Sequence, residues 1–320
     1  MKRFFAFVTS IIFVFSGCTI PNSGAGTAST QIQATGKVKV VTSFYPLYEI
    51  AKQVGGDYVD VKNLVPPGAE PHDYEITPKD IAGVYESQIL VVNGAGLEPW
   101  YSRVLPDLQQ QTKVRVVDES KLFSDLITGF HEEGGSNQPM NAPQQSYDPH
   151  LWMDPVHYAQ EVDSFGKIIA EVDPAHKDYY LVQAQQFVAK LDDLDRQYIS
   201  GLQNCSLHEF VTNHAAFGYL SRRYGITMIA IAGLSPDAEP SPKTISDLIT
   251  LIKQKNIMYI LTESLVSPKI ADTIAKEIGA QTLVMNPLEG LTDQEIAQGK
   301  NYISVMQENL KNLQTAMNCR

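Results

Sequence analysis

The chain has 320 residues, 43% hydrophobic and 19% charged, a size and composition that suit one large or two medium α/β domains. Its formal charge of −11 argues against a nucleic-acid partner, which would call for clustered Lys and Arg. An acidic surface is compatible with cation handling, although many proteins are this acidic for solubility alone.

The first elements in chain order read as lying outside the fold. Lys2 and Arg3 precede an apolar run from Phe4 to Phe15 that is too short to span a membrane. It ends in Phe15-Ser16-Gly17-Cys18, which resembles a bacterial lipoprotein signal, although Leu is usual where Phe15 stands. Residues 1–17 are therefore expected to be removed as a signal peptide. Cys18 then carries lipid, and the protein stays outside the cytoplasm, anchored to the cell membrane. Thr19 to Gly36 is rich in Ser, Thr, Gly and Ala without hydrophobic period, so residues 18–36 read as a flexible tether. With Cys18 used for lipid, Cys205 and Cys319 remain; in an oxidising compartment they suggest one disulfide pinning the C-terminus to the start of the second lobe.

Two halves follow with the same pattern. The first has apolar runs at Val38–Val41, Val59–Val65, Ile89–Val92 and Val114–Val117, separated by helical stretches at Leu47–Val54, Pro78–Tyr85 and Glu98–Gln109. The second has runs at Phe210–Thr212, Thr227–Ile231, Ile257–Leu261 and Thr282–Met285, with helices at Ala216–Tyr224, Pro242–Lys255 and Pro268–Ile278. Continuous apolar runs alternating with helices predict mainly parallel sheets buried on both faces. From Pro174 to Leu202 the apolar residues Tyr180, Phe187, Leu191, Leu194 and Tyr198 recur at helical spacing. The fold class is thus α/β: two lobes, each a mainly parallel sheet flanked by helices, joined by one long backbone helix. The expected boundaries are 37–172 for the first lobe, 173–203 for the helix and 204–320 for the second lobe. Phe130 to Ser146, polar and rich in Gly, Pro, Gln and Asn, reads as a surface loop that either flaps over a site or is an inert insertion.

Three of the seven histidines lie in loops after expected strands. His72 sits in PPGAEPHDY, His150 in DPHLWMDP and His214 in TNHAAFGY. Open parallel sheets bind ligands at the carboxyl ends of their strands, and rigid Pro-rich flanks pre-orient His72 and His150. A lone His is usually structural, but three in such settings suit Zn²⁺ and similar metals. A tetrahedron needs a fourth donor, with Glu263, Asn286, Glu289 and Asp293 as candidates. His131, His157, His176 and His208 lack such settings and read as surface residues, His131 with a faint role in capture. Trp100 and Trp152 read as lobe core. Glu239, in Glu239-Pro240-Ser241, reads as part of a structured cleft loop.

The motifs TSFYPLYEIAKQVGGD, PPGAEPHDYE, NGAGLEPW, DPHLWMDP, NHAAFGYLSRRYG, LSPDAEPSP and NPLEGLT together resemble the metal-binding lipoproteins of ABC importers that handle zinc and manganese. The resemblance runs from about Val38 to Cys319. It implies extracytoplasmic capture of Zn²⁺ in an interlobe cleft and delivery to an ABC-type membrane permease. Carried across, the metal histidines of the zinc-type members match His72, His150 and His214. Many members have an Asp near Asn286; this chain instead resembles the branch whose Asn-Pro-Leu-Glu loop ligates through Glu, which points to Glu289, with Asp293 and a water as fallbacks.

Three imidazoles and one carboxylate favour Zn²⁺, whereas two His and two carboxylates favour Mn²⁺, so His214 discriminates between them. A zinc hydrolase is the rival reading, but no His-Glu-x-x-His helix is present, and only Glu239, Asp154 and Glu263 are conceivable bases. Lipid anchoring also permits an adhesin, as some family members are described, without a specific feature in its favour. The expectation is a monomer that is not an enzyme.

Overall fold

The computed structural model describes residue 1 and residues 36–110, 113–128, 147–237 and 240–320. Cys18 with the signal and most of the tether, the Phe130–Ser146 segment with His131, and Glu239 lie outside the described residues.

In the first half, β1 (Val38–Thr42), α1 (Tyr45–Gly55), β2 (Val59–Asn63), α2 (Pro78–Tyr85), β3 (Ile89–Val92), α3 (Tyr101–Gln110) and β4 (Arg115–Asp118) alternate. The four strands form a parallel sheet in the order β2-β1-β3-β4, with Val40 opposite both Val61 and Ile89. Every residue of β3 is buried, as its unbroken Ile-Leu-Val-Val run requires of a central parallel strand. Glu98 was expected to open a helix. It is instead buried ahead of α3, and its carboxylate accepts from Ser43 Oγ and the Asn93 and Gly94 N–H groups. Burial pushes its pKa up to about 7 despite these three bonds.

The second half repeats the plan. It contains β5 (Glu209–Thr212), α6 (Gly218–Tyr224), β6 (Thr227–Ala230), α7 (Pro242–Gln254), β7 (Tyr259–Thr262), α8 (Lys269–Ile278), β8 (Gln281–Val284), α9 (Asp293–Ala297) and α10 (Tyr302–Ala316). Its sheet order, β6-β5-β7-β8, is again all parallel. In both sheets the order reverses beside the first strand of the lobe, where open α/β sheets place their ligands.

Between the sheets, α4 (Pro155–Val172) and α5 (Lys177–Gly201) form a helical hairpin. Asp154 caps α4 by accepting from Val156 N–H, and Pro155 stands at its first position, where no donor is lost. The long helix begins slightly later than expected, because Pro174–His176 is a 3-10 turn. Its spaced residues Tyr180, Phe187, Leu191, Leu194 and Tyr198 are all buried. Gly166 lets the two helices touch, since a Cβ there would stand 2.7 Å from that of Ala184. Helix α5 packs against α1 of the first half and α10 of the second. One hydrophobic core runs through the hairpin and the inner sheet faces, and each outer face has a separate cluster. Among the described residues no helix is long and apolar enough to cross a membrane.

Candidate metal centre

Each candidate histidine is held by its local chain. After β2, Pro66-Pro67-Gly68 makes a tight turn in which Gly68 takes φ 76°, a conformation that favours glycine. A 3-10 turn at Pro71–Asp73 then presents His72, whose N–H donates to the Glu70 carboxylate at 3.3 Å. The His150 segment is anchored by Asn93 Nδ2, which donates to the Pro149 carbonyl at 2.8 Å, and by the 3-10 turn Leu151–Met153. His214 stands just beyond β5, where Thr212 Oγ1 donates to its carbonyl at 2.8 Å.

Glu289 lies in the loop between β8 and α9. Asn309 clamps the start of this loop: its Oδ1 accepts from Asn286 N–H at 2.9 Å and its Nδ2 donates to the Asn286 carbonyl at 2.7 Å. Asn286 Oδ1 accepts from Leu288 N–H at 2.7 Å. Leu288 takes φ 61°, an uncommon conformation for a branched residue that costs on the order of 1 kcal/mol and is held by these bonds. Trp152, in the first half, donates its indole N–H to the Pro287 carbonyl at 2.7 Å and so joins the His150 segment to the Glu289 loop.

These loops converge. His72, His150, His214 and Glu289 each offer one donor atom within 4.8 Å of the others. Glu289 Oε1 lies 3.4 Å from His72 Nε2, 3.2 Å from His150 Nε2 and 3.1 Å from His214 Nε2. His72 and His150 Nε2 are 3.2 Å apart. A zinc tetrahedron with bonds near 2.0–2.1 Å has edges of about 3.3 Å, close to these four separations. His150, His214 and Glu289 are fully buried, and the His72 side chain is 9% exposed.

Two carboxylates aim the imidazoles. Asp148 Oδ1 accepts from His150 Nδ1 at 2.7 Å, and Glu263 Oε2 from His214 Nδ1 at 2.7 Å. Each leaves the Nε2 lone pair free to face a metal, the usual outer-shell arrangement of histidine sites. Glu263, a candidate donor by sequence, is thus an orienting group. Asp293 is exposed at the start of α9, outside the cluster.

The electrostatics match a site that exchanges protons for a cation. Burial lowers the His72 pKa, with Glu289 only partly opposing it. At His150 and His214 burial acts the same way but is outweighed by the carboxylates of Glu289 with Asp148 or Glu263, so both are raised. Glu289 is held well below the usual range: burial opposes, but the facing histidines prevail. Glu70 went unnoticed in the sequence. Burial, then the neighbouring Glu289 charge, push its carboxyl up to about 9. Its place in the Pro-rich motif was the available signal.

His157 was expected at the surface; the structure corrects this. It lies buried on the inner side of α4, its ring 4.4 Å from that of Phe123 and 5.5 Å from that of Tyr219. Trp100 and Trp152 are both buried, and a disulfide joins Cys205 to Cys319.

Comparison with known proteins agrees with the geometry. Residues 40–316 match the family described as ZnuA, zinc-uptake complex component A periplasmic. The high-affinity zinc uptake system protein ZnuA of Bacillus subtilis is 39% identical over 310 residues, covering 96% of this chain and 97% of that protein. The zinc-binding lipoprotein AdcA of Streptococcus pneumoniae is 39% identical over 285 residues, covering 89% of this chain but 57% of AdcA, a longer protein. Among solved structures, the Zn(II)-bound ZnuA-like domain of Streptococcus pneumoniae AdcA superposes with a TM-score of 0.74 at 36% identity, covering 88% of this chain and all of that domain. With the fold, the converging imidazoles and this match along nearly the whole folded part, the chain belongs to the ZnuA family of zinc-uptake components.

Proposed function

We propose that this protein captures Zn²⁺ through His72, His150, His214 and Glu289 and delivers it to an ABC-type import permease. The carrying observation is the set of four donors within 4.8 Å of one another, three of them fully buried, drawn from loops of both halves, with two imidazoles aimed by Asp148 and Glu263. Nitrogen-rich coordination favours Zn²⁺ over Mn²⁺. Four protein donors close the shell, whereas hydrolytic zinc sites keep a position open for water, which favours binding and transport over catalysis.

In this reading residues 1–17 are a signal peptide, Cys18 carries the lipid and residues 18–36 tether a monomer outside the cytoplasmic membrane. The first lobe spans 37–172, the connecting helix 173–203 and the second lobe 204–320. Zinc displaces the protons shared between the histidines and Glu289, so acid weakens its hold. Release requires a state of lower affinity, which docking on the permease supplies by separating the donors of one lobe from those of the other.

Competition titration against a chelator of known affinity tests this. The parent chain takes up one zinc, and His150→Ala or His214→Ala lowers affinity by at least about 100-fold, the upper end of what loosening an outer-shell partner does. Glu289→Ala has a smaller but clear effect. Variants that bind as the parent does would falsify the assignment.

A further inference from the structure

Helix α6 starts four residues after His214, and three of its residues reach across to the His150 side. Gly218 lies against Asp148: a Cβ there would stand 2.3 Å from Oδ2, so a side chain would displace the carboxylate. The buried Tyr219 donates its hydroxyl to the Asp148 carbonyl at 2.8 Å and accepts from Ile127 N–H at 3.1 Å. Arg222 donates to the Asp125 carbonyl and to its carboxylate, both at 2.6 Å. Asp148 in turn grips His150 twice, at the backbone N–H (3.0 Å) and at Nδ1 (2.7 Å). The helix that follows His214 in the chain therefore holds the residue that aims His150.

We propose that this latch, Tyr219 and Gly218 above all, is a positioning device that registers His150 against His214 and so sets how fast zinc leaves. The inference rests on reading the four-donor cluster as a zinc site. A ligand set works only when held to within about 0.5 Å of its productive geometry, and here the two histidines come from different lobes. Without the Tyr219 hydroxyl, the Asp148 carbonyl and Ile127 N–H lose a shared partner, and the segment carrying His150 is free to shift. The Arg222–Asp125 pair is half-exposed, and such pairs contribute little. The hydroxyl and the missing Cβ therefore carry the latch.

The test is zinc release from the loaded full-length chain into excess chelator, followed by stopped flow, with the visible spectrum of the Co²⁺-loaded protein recorded beside it. Tyr219→Phe and Gly218→Ala keep one zinc per chain, release it about tenfold faster and shift the Co²⁺ bands. Arg222→Gln changes release no more than about threefold. Tyr198→Phe is the control: that hydroxyl is equally buried but donates to the Met306 carbonyl, away from the metal cluster, so its loss leaves release and spectrum unchanged. Parent-like release and spectra in both Tyr219→Phe and Gly218→Ala, or equal acceleration by Tyr198→Phe, overturn the latch while the zinc reading stands. A parent chain that takes up no zinc removes that reading, and the latch with it.

Discussion

The two lobes share a topology but are covered very differently on their outer faces. In the first, Trp100, Tyr101, Val104 and Leu108 of α3 and its approach close over β3, whose residues are all buried. In the second, α7 fully buries only Ile252, leaving Ile245 and Ile249 half-covered, and the edge strand β8 has three exposed residues and one half-buried. The same strand order thus supports a tightly sealed lobe and a looser one. Yet the looser lobe supplies His214 and Glu289, which are fully buried. They are braced by hydrogen bonds of Glu263, Asn286 and Asn309 and by the Trp152 indole of the first lobe, not by the outer layer of their own sheet.

Losing the disulfide should affect the looser lobe most strongly. Cys205–Cys319 links residues 114 apart across the looser lobe. Disulfides typically contribute about 2–4 kcal/mol, mainly by restricting the unfolded chain. Cys319→Ser should lower stability by about 3 kcal/mol in urea denaturation. A loss under about 1 kcal/mol would mean that the second lobe does not depend on its staple.

Hydrogen exchange sharpens the contrast. Local opening is easier where less apolar surface is buried. Backbone amides of α7 and β8 should exchange at least about tenfold faster than those of β1 and β3 in the metal-free protein. Equal protection would show that both lobes open only together.

The smallest effect probes a weakness in the tighter half. Glu119 and Glu161 are fully buried, and none of their four carboxylate oxygens has a partner among the described residues. Burial, then the Asp118 charge, push Glu119 up to about 8; burial, then Glu119, push Glu161 well above the ordinary 4.5. The folded state therefore holds protons that the unfolded state has lost, and stability falls as pH rises from about 4.5 through 8. Glu161→Gln should gain about 1–2 kcal/mol at pH 8 and little at pH 5, read from urea midpoints at both values. A gain independent of pH would assign the effect to packing.

Much of this architecture could be read from local pattern. The four apolar runs of each half lie within a residue or two of the strands; burial on both faces explains the central ones, while the edge strands β2, β6 and β8 are more open than the expected burial on both faces. The long helix was visible in five spaced residues, and His72 and His214 stand in loops that follow β2 and β5, whereas His150 follows only the isolated Thr128–Tyr147 bridge. His157 was misplaced because its flanking residues do not reveal which side of α4 faces Phe123 and Tyr219. Glu263 remained ambiguous for a similar reason: a carboxylate after a strand can meet a metal or an imidazole, and only distance decides.

Periodicity, turn residues and motif spacing are properties of neighbouring residues, so the chain alone determined the order of its elements, its α/β class and three candidate imidazoles. The place of Glu289, and not Asp293, beside the three imidazoles, the pairing of Asp148 and Glu263 with separate histidines, and the grip of α6 on the His150 segment depend on how two sheets meet across a helical hairpin. That meeting is made by contacts between residues far apart in the chain, and a shift of a few ångströms between the lobes would leave every local pattern intact while dispersing the four donors.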